Sequence, residues 1–395
     1  MGDSRLTMFS SRFRWDFQTN RLTRALDPKK RAGAELLDLT ESNPTRVDLR
    51  YPPEILEAFR DDRLLRYEPS PSGLREAREA VAGYYGRRGF TVEPERILLT
   101  ASTSEAYAYL FKLLTDPGDQ VLVPRPSYPL FEFLGTMESV EVRTYPLRYH
   151  GHWAIDLDGL LAGLTERTRA VILVNPNNPT GSYVKRAELD ALTGVCAERH
   201  IALISDEVFS DYAFTPDDSR VVTLGAQQEG LAFAMSGLSK IAGMPQMKLG
   251  WIVSAGANSE QEPARERLEW IADTYLSVGT PVQCAASRLL ACGETVQQQI
   301  RERTAANFQF AREALAGSPA TLLNVEGGWC AIIQVPRLRT EEEWALELLE
   351  SFNVLLQPGF FYDFESEAFL VSSLLTAPLV FQEGLKRLIR QVNCA

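Results

Sequence analysis

The chain of 395 residues carries 41 Lys plus Arg against 52 Asp plus Glu, a net charge of −11, with 45% apolar and 24% charged residues. These proportions exclude a disordered, collagen-like or coiled-coil chain, and the acidic balance works against a phosphate-backbone binder, which needs a basic face. At about 150 residues per domain the length suggests two domains, or one large domain with an appendage.

At the N-terminus, Met1 to Phe17 contains Asp3, Arg5, Arg12 and Arg14 where a secretory leader needs an apolar run. Leu6 stands where a myristoylation signal needs Ser or Thr, and no run approaches 18 apolar residues. The cysteines at 196, 284, 292, 330 and 394 are odd in number and widely spaced, so neither a disulfide framework nor a zinc knuckle is expected. A cytoplasmic protein without membrane segments fits this pattern. The segment before residue 48, with Pro28, Gly33 and Pro44, reads as an arm and linker rather than as core.

From about residue 95 to 255, short Val/Ile/Leu-rich runs alternate with helical patterns, the signature of βαβ units and a mainly parallel sheet. Strands are predicted at Arg96–Thr100, Gln120–Val123, Val140–Tyr145, Ala170–Val174, Ile201–Ser205, Ala232–Ser236 and Gly250–Ser254. Helices are predicted at Ser104–Leu114, Lys185–Arg199, Glu262–Ser277 and Thr295–Leu315. After about residue 320 a smaller α+β unit follows: strands Cys330–Val335, Val354–Gln357 and Ala368–Ser373, with a helix at Glu341–Ser351 and a closing helix. The organisation expected is an arm and small-domain segment (1–48), a large α/β domain (49–292) and a small α+β domain (293–395) with helices on both faces of the central sheet.

In open parallel sheets, ligands sit beyond the carboxyl ends of the strands. The residues there are Ser102-Thr103-Ser104 at a helix start, Asn175 to Gly181, Ser205-Asp206-Glu207, and Ser236 to Lys240. Each has a plain reading: an N-cap, a turn around Asn178, a loop carboxylate at Asp206, a solvated loop lysine at Lys240. Jointly they supply an anion cradle, an amide, a carboxylate and an amine. His150-Gly151-His152 reads as a hairpin loop and no metal site is expected; the tryptophans read as packing residues. No G-x-G-x-x-G, P-loop or H-E-x-x-H pattern occurs.

Tyr67-x5-Gly73, Thr100 to Ala106, Pro126-Ser127-Tyr128-Pro129, Asn175 to Gly181, Ser205 to Val208, and Ser239-Lys240 with Lys248-Leu249-Gly250-Trp251 together resemble a class I/II aminotransferase of the pyridoxal 5′-phosphate fold type I. The resemblance extends from about Leu37 to the C-terminus. It implies Lys240 as the Schiff-base amine and proton shuttle, Asp206 as the partner of the pyridine nitrogen, Asn178 as donor to the ring oxygen and Tyr128 as the ring-stacking aromatic. It further implies Ser102, Thr103, Ser236, Ser239 and Lys248 at the phosphate, with Tyr67 reaching across from a second subunit of a homodimer with shared sites.

Three positions depart from the family pattern. Lys248 stands where an Arg is usual, exchanging a bidentate fork for a point charge. Phe209 stands where many relatives place a Tyr against the ring oxygen, and Tyr212 is the residue that could compensate. Val371, in Ala368 to Ser373, occupies the position of the Arg that clamps a substrate carboxylate. Either another cation meets that carboxylate, with Arg46 beside Asn43 first and Arg12 second, or the substrate has none. The expected activity is amino-group transfer between a small donor and a keto acceptor by a ping-pong mechanism. The alternatives are another reaction of the same cofactor (elimination, decarboxylation, oxidation or a synthase step) and a non-catalytic regulator, for which the acidic chain lacks a DNA-binding module before residue 37.

Overall fold

The structure, a computed structural model, describes residues 8–394 except Arg14, Asp16 and Phe17. Most of the Met1–Phe17 stretch read above therefore lies outside the described residues. The strands in chain order are β1 (Leu37–Asp38), β2 (Ile97–Thr100), β3 (Gln120–Arg125), β4 (Glu141–Tyr149), β5 (Trp153–Ile155), β6 (Thr168–Val174), β7 (Ala202–Asp206), β8 (Leu231–Gly237), β9 (Gly250–Gly256), β10 (Thr321–Leu322), β11 (Cys330–Gln334), β12 (Val354–Leu355), β13 (Gln357–Pro358) and β14 (Phe369–Ser373).

Eight of them form the central sheet in the order β2-β9-β8-β7-β6-β3-β4-β5. The pairs β3/β4, β3/β6, β6/β7 and β7/β8 are parallel, and β9 runs against both its neighbours. Central strands are apolar along their whole length because helices cover both faces. Their period of two sends alternate residues to opposite cores: Val171, Leu173, Leu203, Ala232 and Ala234 face one, while Ile172, Ile204, Phe233 and Met235 face the other. The predicted strands in this region all form, as does the hairpin through His150 and His152, where Tyr149 pairs Trp153.

The helix predicted from Thr295 begins at Thr280 and runs unbroken to Leu315, through residues 292 and 293. Gly293 has the look of a breaker inside it. It stands there because a Cβ at that position would come 2.5 Å from the Ala242 Cβ, so only glycine lets this helix approach the segment that follows β8.

A four-stranded sheet, β10-β11-β14-β13, builds the smaller unit. Val354–Gln357 is not one strand: β12 pairs with β1 and β13 with β14. The reading of the segment before residue 48 as arm and linker is corrected here. A helix forms at Arg21–Arg31, β1 pairs in parallel with β12, and Leu22, Leu37 and Leu39 belong to the core formed with Trp344, Leu348 and Phe381. Three leucines in a polar stretch suffice, because their burial against a distant helix contributes what local pattern lacks.

Candidate active site

Val174, Asp206 and Met235 are in register across β6, β7 and β8, so the segments following these strands open on one edge of the sheet. Two antiparallel steps through β9 turn β2 to the same direction as β8, which brings the start of helix Thr103–Leu114 to that edge. A cavity of about 500 Å³ lies there. Its lining includes Asp206, the last residue of β7, and Lys240 from the short helix Leu238–Ile241. Asn178, Tyr128, Ser239, Ser102 and Thr103 line it as well. Sequence reading had picked out these same residues.

The Asn178 turn is pinned by Gly181, whose φ is +66° and whose Cβ, if present, would meet the Gly327 carbonyl at 2.4 Å. Asp206 is held at both oxygens: Oδ2 accepts the Tyr107 hydroxyl at 3.1 Å and Oδ1 the Val208 N–H at 3.3 Å. Burial pushes its carboxyl up to about 6, against those hydrogen bonds and the nearby Lys240. Burial likewise pulls Lys240 below its ordinary value, with Cys330 and Asp206 acting in the opposite sense. The Lys240 Nζ sits 4.9 Å from the centre of the Trp329 ring and 5.5 Å from that of Phe209, faces that favour a cation.

The remaining predicted residues fall elsewhere. Ser236 is buried and its Oγ has no partner, an orphaned hydroxyl at the end of β8. Lys248 is exposed, in a left-handed conformation with φ of 52°, and only its neighbours Leu249 and Gly250 reach the cavity. Tyr67 is 77% exposed and lines a separate hollow with Tyr109 and Leu276. Asn43 caps its own turn by accepting the Thr45 N–H; Arg46 is exposed and, like Asn43, is not part of the lining, whereas Thr40 and Ser42 are. Arg12 donates to the Ser139 Oγ at 3.0 Å, away from the cavity. Tyr212 does not stand in for the tyrosine replaced by Phe209, because its hydroxyl donates to the Lys240 backbone carbonyl. Val371 lines the cavity as aligned.

Sequence reading missed Tyr107, Trp329, Cys330, Gln357 and Tyr362, all in the lining. Tyr107 had a signal, since it follows Thr103 by four residues and so shares its helix face. The other four come from the smaller unit and had none; Trp329, read as packing, faces Lys240. The Cys330 Sγ donates to the Asn178 Oδ1 at 3.4 Å, and burial pushes the thiol up to about 12, so it stays a donor. Pinning Oδ1 fixes which way the Asn178 NH₂ points. Cys330→Ala is expected to weaken cofactor binding about 3- to 10-fold, the worth of one modest hydrogen bond, and Cys330→Ser to restore most of it. Equilibrium titration with cofactor measures both.

An amine and a carboxylate at adjacent strand ends, with an amide, an aromatic face and a helix N-terminus, define a site for covalent handling of a carbonyl compound carrying an anionic group. The sequence matches the family Aminotransferase class I and II over residues 34–374, and the chain belongs to that family. It is 31% identical to bovine (Bos taurus) tyrosine aminotransferase over 224 residues, 55% of this chain and 49% of that protein. With the glutamate-pyruvate aminotransferase AlaA of Escherichia coli K12 it shares 27% over 270 residues, 68% of this chain and 66% of the other. Thus the matched segments span about half to two-thirds of these relatives. Arginine--pyruvate transaminase AruH of Pseudomonas aeruginosa is 28% identical over 352 residues, 87% of this chain and 86% of its own.

Among solved structures, an alanine aminotransferase from Pyrococcus furiosus superposes with a TM-score of 0.85 at 22% identity, covering 95% of this chain and 96% of that one. An aspartate aminotransferase from Thermotoga maritima does so at 0.82 and 23%, covering 95% and 98%. The fold is therefore that of the fold type I aminotransferases. The family implies pyridoxal 5′-phosphate, and the donor set in the lining suits it: an amine for its aldehyde, a carboxylate for its ring nitrogen, and the hydroxyls of Ser102, Thr103 and Ser239 with helix N–H groups for its phosphate. Among the described residues, no helix is long and apolar enough to cross a membrane.

Proposed function

We propose that the protein is a pyridoxal 5′-phosphate-dependent aminotransferase that passes an amino group from a small donor to a keto acceptor in a ping-pong cycle. The observation carrying this reading is that Lys240 and Asp206 meet in one cavity with Asn178 and Tyr128. When bound, the cofactor supplies an electron sink that lets the carbon bearing the amino group release a proton.

The chain's residues do the rest. Lys240 Nζ holds the cofactor aldehyde and, once the donor has taken that place, accepts and returns the proton; its lowered basicity brings it nearer the pH at which it works. Asp206, oriented by Tyr107 and Val208, keeps the ring nitrogen protonated. Asn178 donates to the ring oxygen and Tyr128 covers one ring face. Ser102, Thr103 and Ser239, which line the cavity, hold the phosphate, and Ser236 and Lys248, outside that lining, do not. Gln357, Tyr362 and Trp329 line the cavity from the smaller unit.

Two copies would share their sites, Tyr67 of one reaching the other's phosphate. Supporting this are the exposure of Tyr67 at 77% and of Leu65 at 90% on one segment. The free cysteines fit a reducing cytoplasm, and the acidic charge fits a small-molecule rather than a nucleic-acid partner. Other reactions of the same cofactor are less favoured, since the relatives carry transaminase names.

The test is the visible spectrum of the cofactor-loaded protein as amino donors are added with no acceptor present. Conversion of the bound aldehyde to its amine form by donor alone is the expected result. Release of ammonia with an unchanged spectrum would point to elimination instead, and a protein that takes up no cofactor would overturn the reading.

A further inference from the structure

Beyond Tyr128 and Phe131 the main cavity adjoins a second hollow of about 580 Å³, and four side chains, Tyr128, Phe131, Gln357 and Tyr362, line both. The second hollow is walled by Phe133, Phe360 and Phe361, and the Trp15 ring packs edge-on against Phe133 with centres 4.9 Å apart. Its charged lining residues, Glu132 and Asp363, are both carboxylates. Among the described residues, Lys240 is the one cationic side chain lining either space.

The neck between the two spaces is neutral. The period of β14 sends Leu370 into the small core and Val371 to the cavity. Gln357 is the pairing partner of Val371 on β13, and its Oε1 accepts the Tyr362 hydroxyl. A carboxylate on the reacting carbon would enter a wall of Val371, Tyr362 and Trp329 with no guanidinium facing it among the described residues, and an unpaired anion in such a place is strongly disfavoured. An amine without that carboxylate meets no such penalty, and an aromatic body gains by leaving water for the second hollow.

We propose that the amino donor is a primary amine with an aryl or other bulky apolar body and no carboxylate on its reacting carbon, the body passing the Gln357–Tyr362 neck into the second hollow. This rests on the aminotransferase reading above. In the half-reaction the donor's C–N bond breaks, its carbon is oxidised by two electrons and leaves as an aldehyde whose oxygen comes from water. The nitrogen passes to the cofactor, whose aldehyde carbon is reduced to the amine.

The experiment mixes the cofactor-loaded protein with 2-phenylethylamine, ethylamine, L-phenylalanine or L-alanine, following the visible spectrum and the release of phenylacetaldehyde. Calorimetry in parallel measures binding of the unreactive 2-phenylethanol and 3-phenylpropionate. We expect 2-phenylethylamine to react about 100-fold more efficiently than L-phenylalanine and about 10- to 100-fold more efficiently than ethylamine, and the alcohol to bind where the carboxylate does not. Val371→Arg should move the preference toward L-phenylalanine. Because Val371 is buried, Phe360→Ala, at a half-exposed position, is the second variant, and it should shrink the advantage of 2-phenylethylamine over ethylamine. Amino acids reacting faster than their matched amines would overturn the donor class alone. No spectral change with any of the four, while 2-phenylethanol still binds, would overturn the aminotransferase reading and the donor class with it.

Discussion

Lys240→Met is expected to lower turnover by about 10⁴-fold or more while leaving the fold intact, since it removes both the covalent anchor and the proton carrier. Met keeps the apolar stem that packs against Trp329 and Phe209, so little volume is lost. Stability should not fall. Burial lowers the folded-state pKa of Lys240 below 10.5, so below that pH the lysine costs the native state stability relative to the unfolded chain, which takes up the proton more readily. That penalty fades as pH rises toward the ordinary lysine value. The cofactor-free variant should therefore unfold at the same or a higher temperature at pH 7, the gap closing near pH 10. Thermal unfolding at the two pH values, with single-turnover spectra, checks both halves. Turnover within tenfold of wild type would remove Lys240 from the mechanism.

Asp206→Asn should separate activity from stability. With its negative charge gone the ring nitrogen loses its counter-ion, and activity is expected to fall by roughly 10²- to 10³-fold, the usual cost of one charged or hydrogen-bonding partner at a reacting system. In the cofactor-free protein the same change is expected to stabilise. The carboxyl is raised from 3.8 to about 6 by burial, so below pH 3.8 it is neutral in both states and costs nothing. As pH rises through 3.8 to 6 the unfolded chain ionises more readily, and the native state loses stability that it does not regain above 6. Asparagine escapes this while still accepting from Tyr107, giving a gain on the order of 1–3 kcal/mol at pH 8 and none near pH 3.5. Glu207, pushed up to about 7 by its own burial, has the same sign of effect in both proteins and cancels in the difference. Urea unfolding at the two pH values measures the gain; equal stabilities at pH 8 would mean that Asp206 is well solvated.

Much of this structure is local in origin. The apolar runs at Ala170–Val174, Ile201–Ser205 and Ala232–Ser236 announce strands covered on both faces, and a parallel sheet obliges the residues just past those strands to share an edge. Lys240, Asp206, Asn178 and the Ser102–Thr103 helix start were therefore legible from order and spacing, whereas the loss of the arginine at Val371 was legible only through the resemblance to the family. The rest depended on pairings between remote segments. β1 joins β12 across more than 300 residues, which made core of a stretch whose composition looks like linker. Trp329, Cys330, Gln357 and Tyr362 reach the cavity because β11, β13 and β14 form a sheet whose outward face meets the ends of β6 to β8. Arg46 and Arg12, plausible by sequence position, stay out of the cavity lining: Arg46 is exposed and Arg12 donates to Ser139. Periodicity encodes which face of an element is buried, and so it determined the sheet and its strand ends. Which buried faces meet is decided by the packing of the whole chain, which no window of sequence contains.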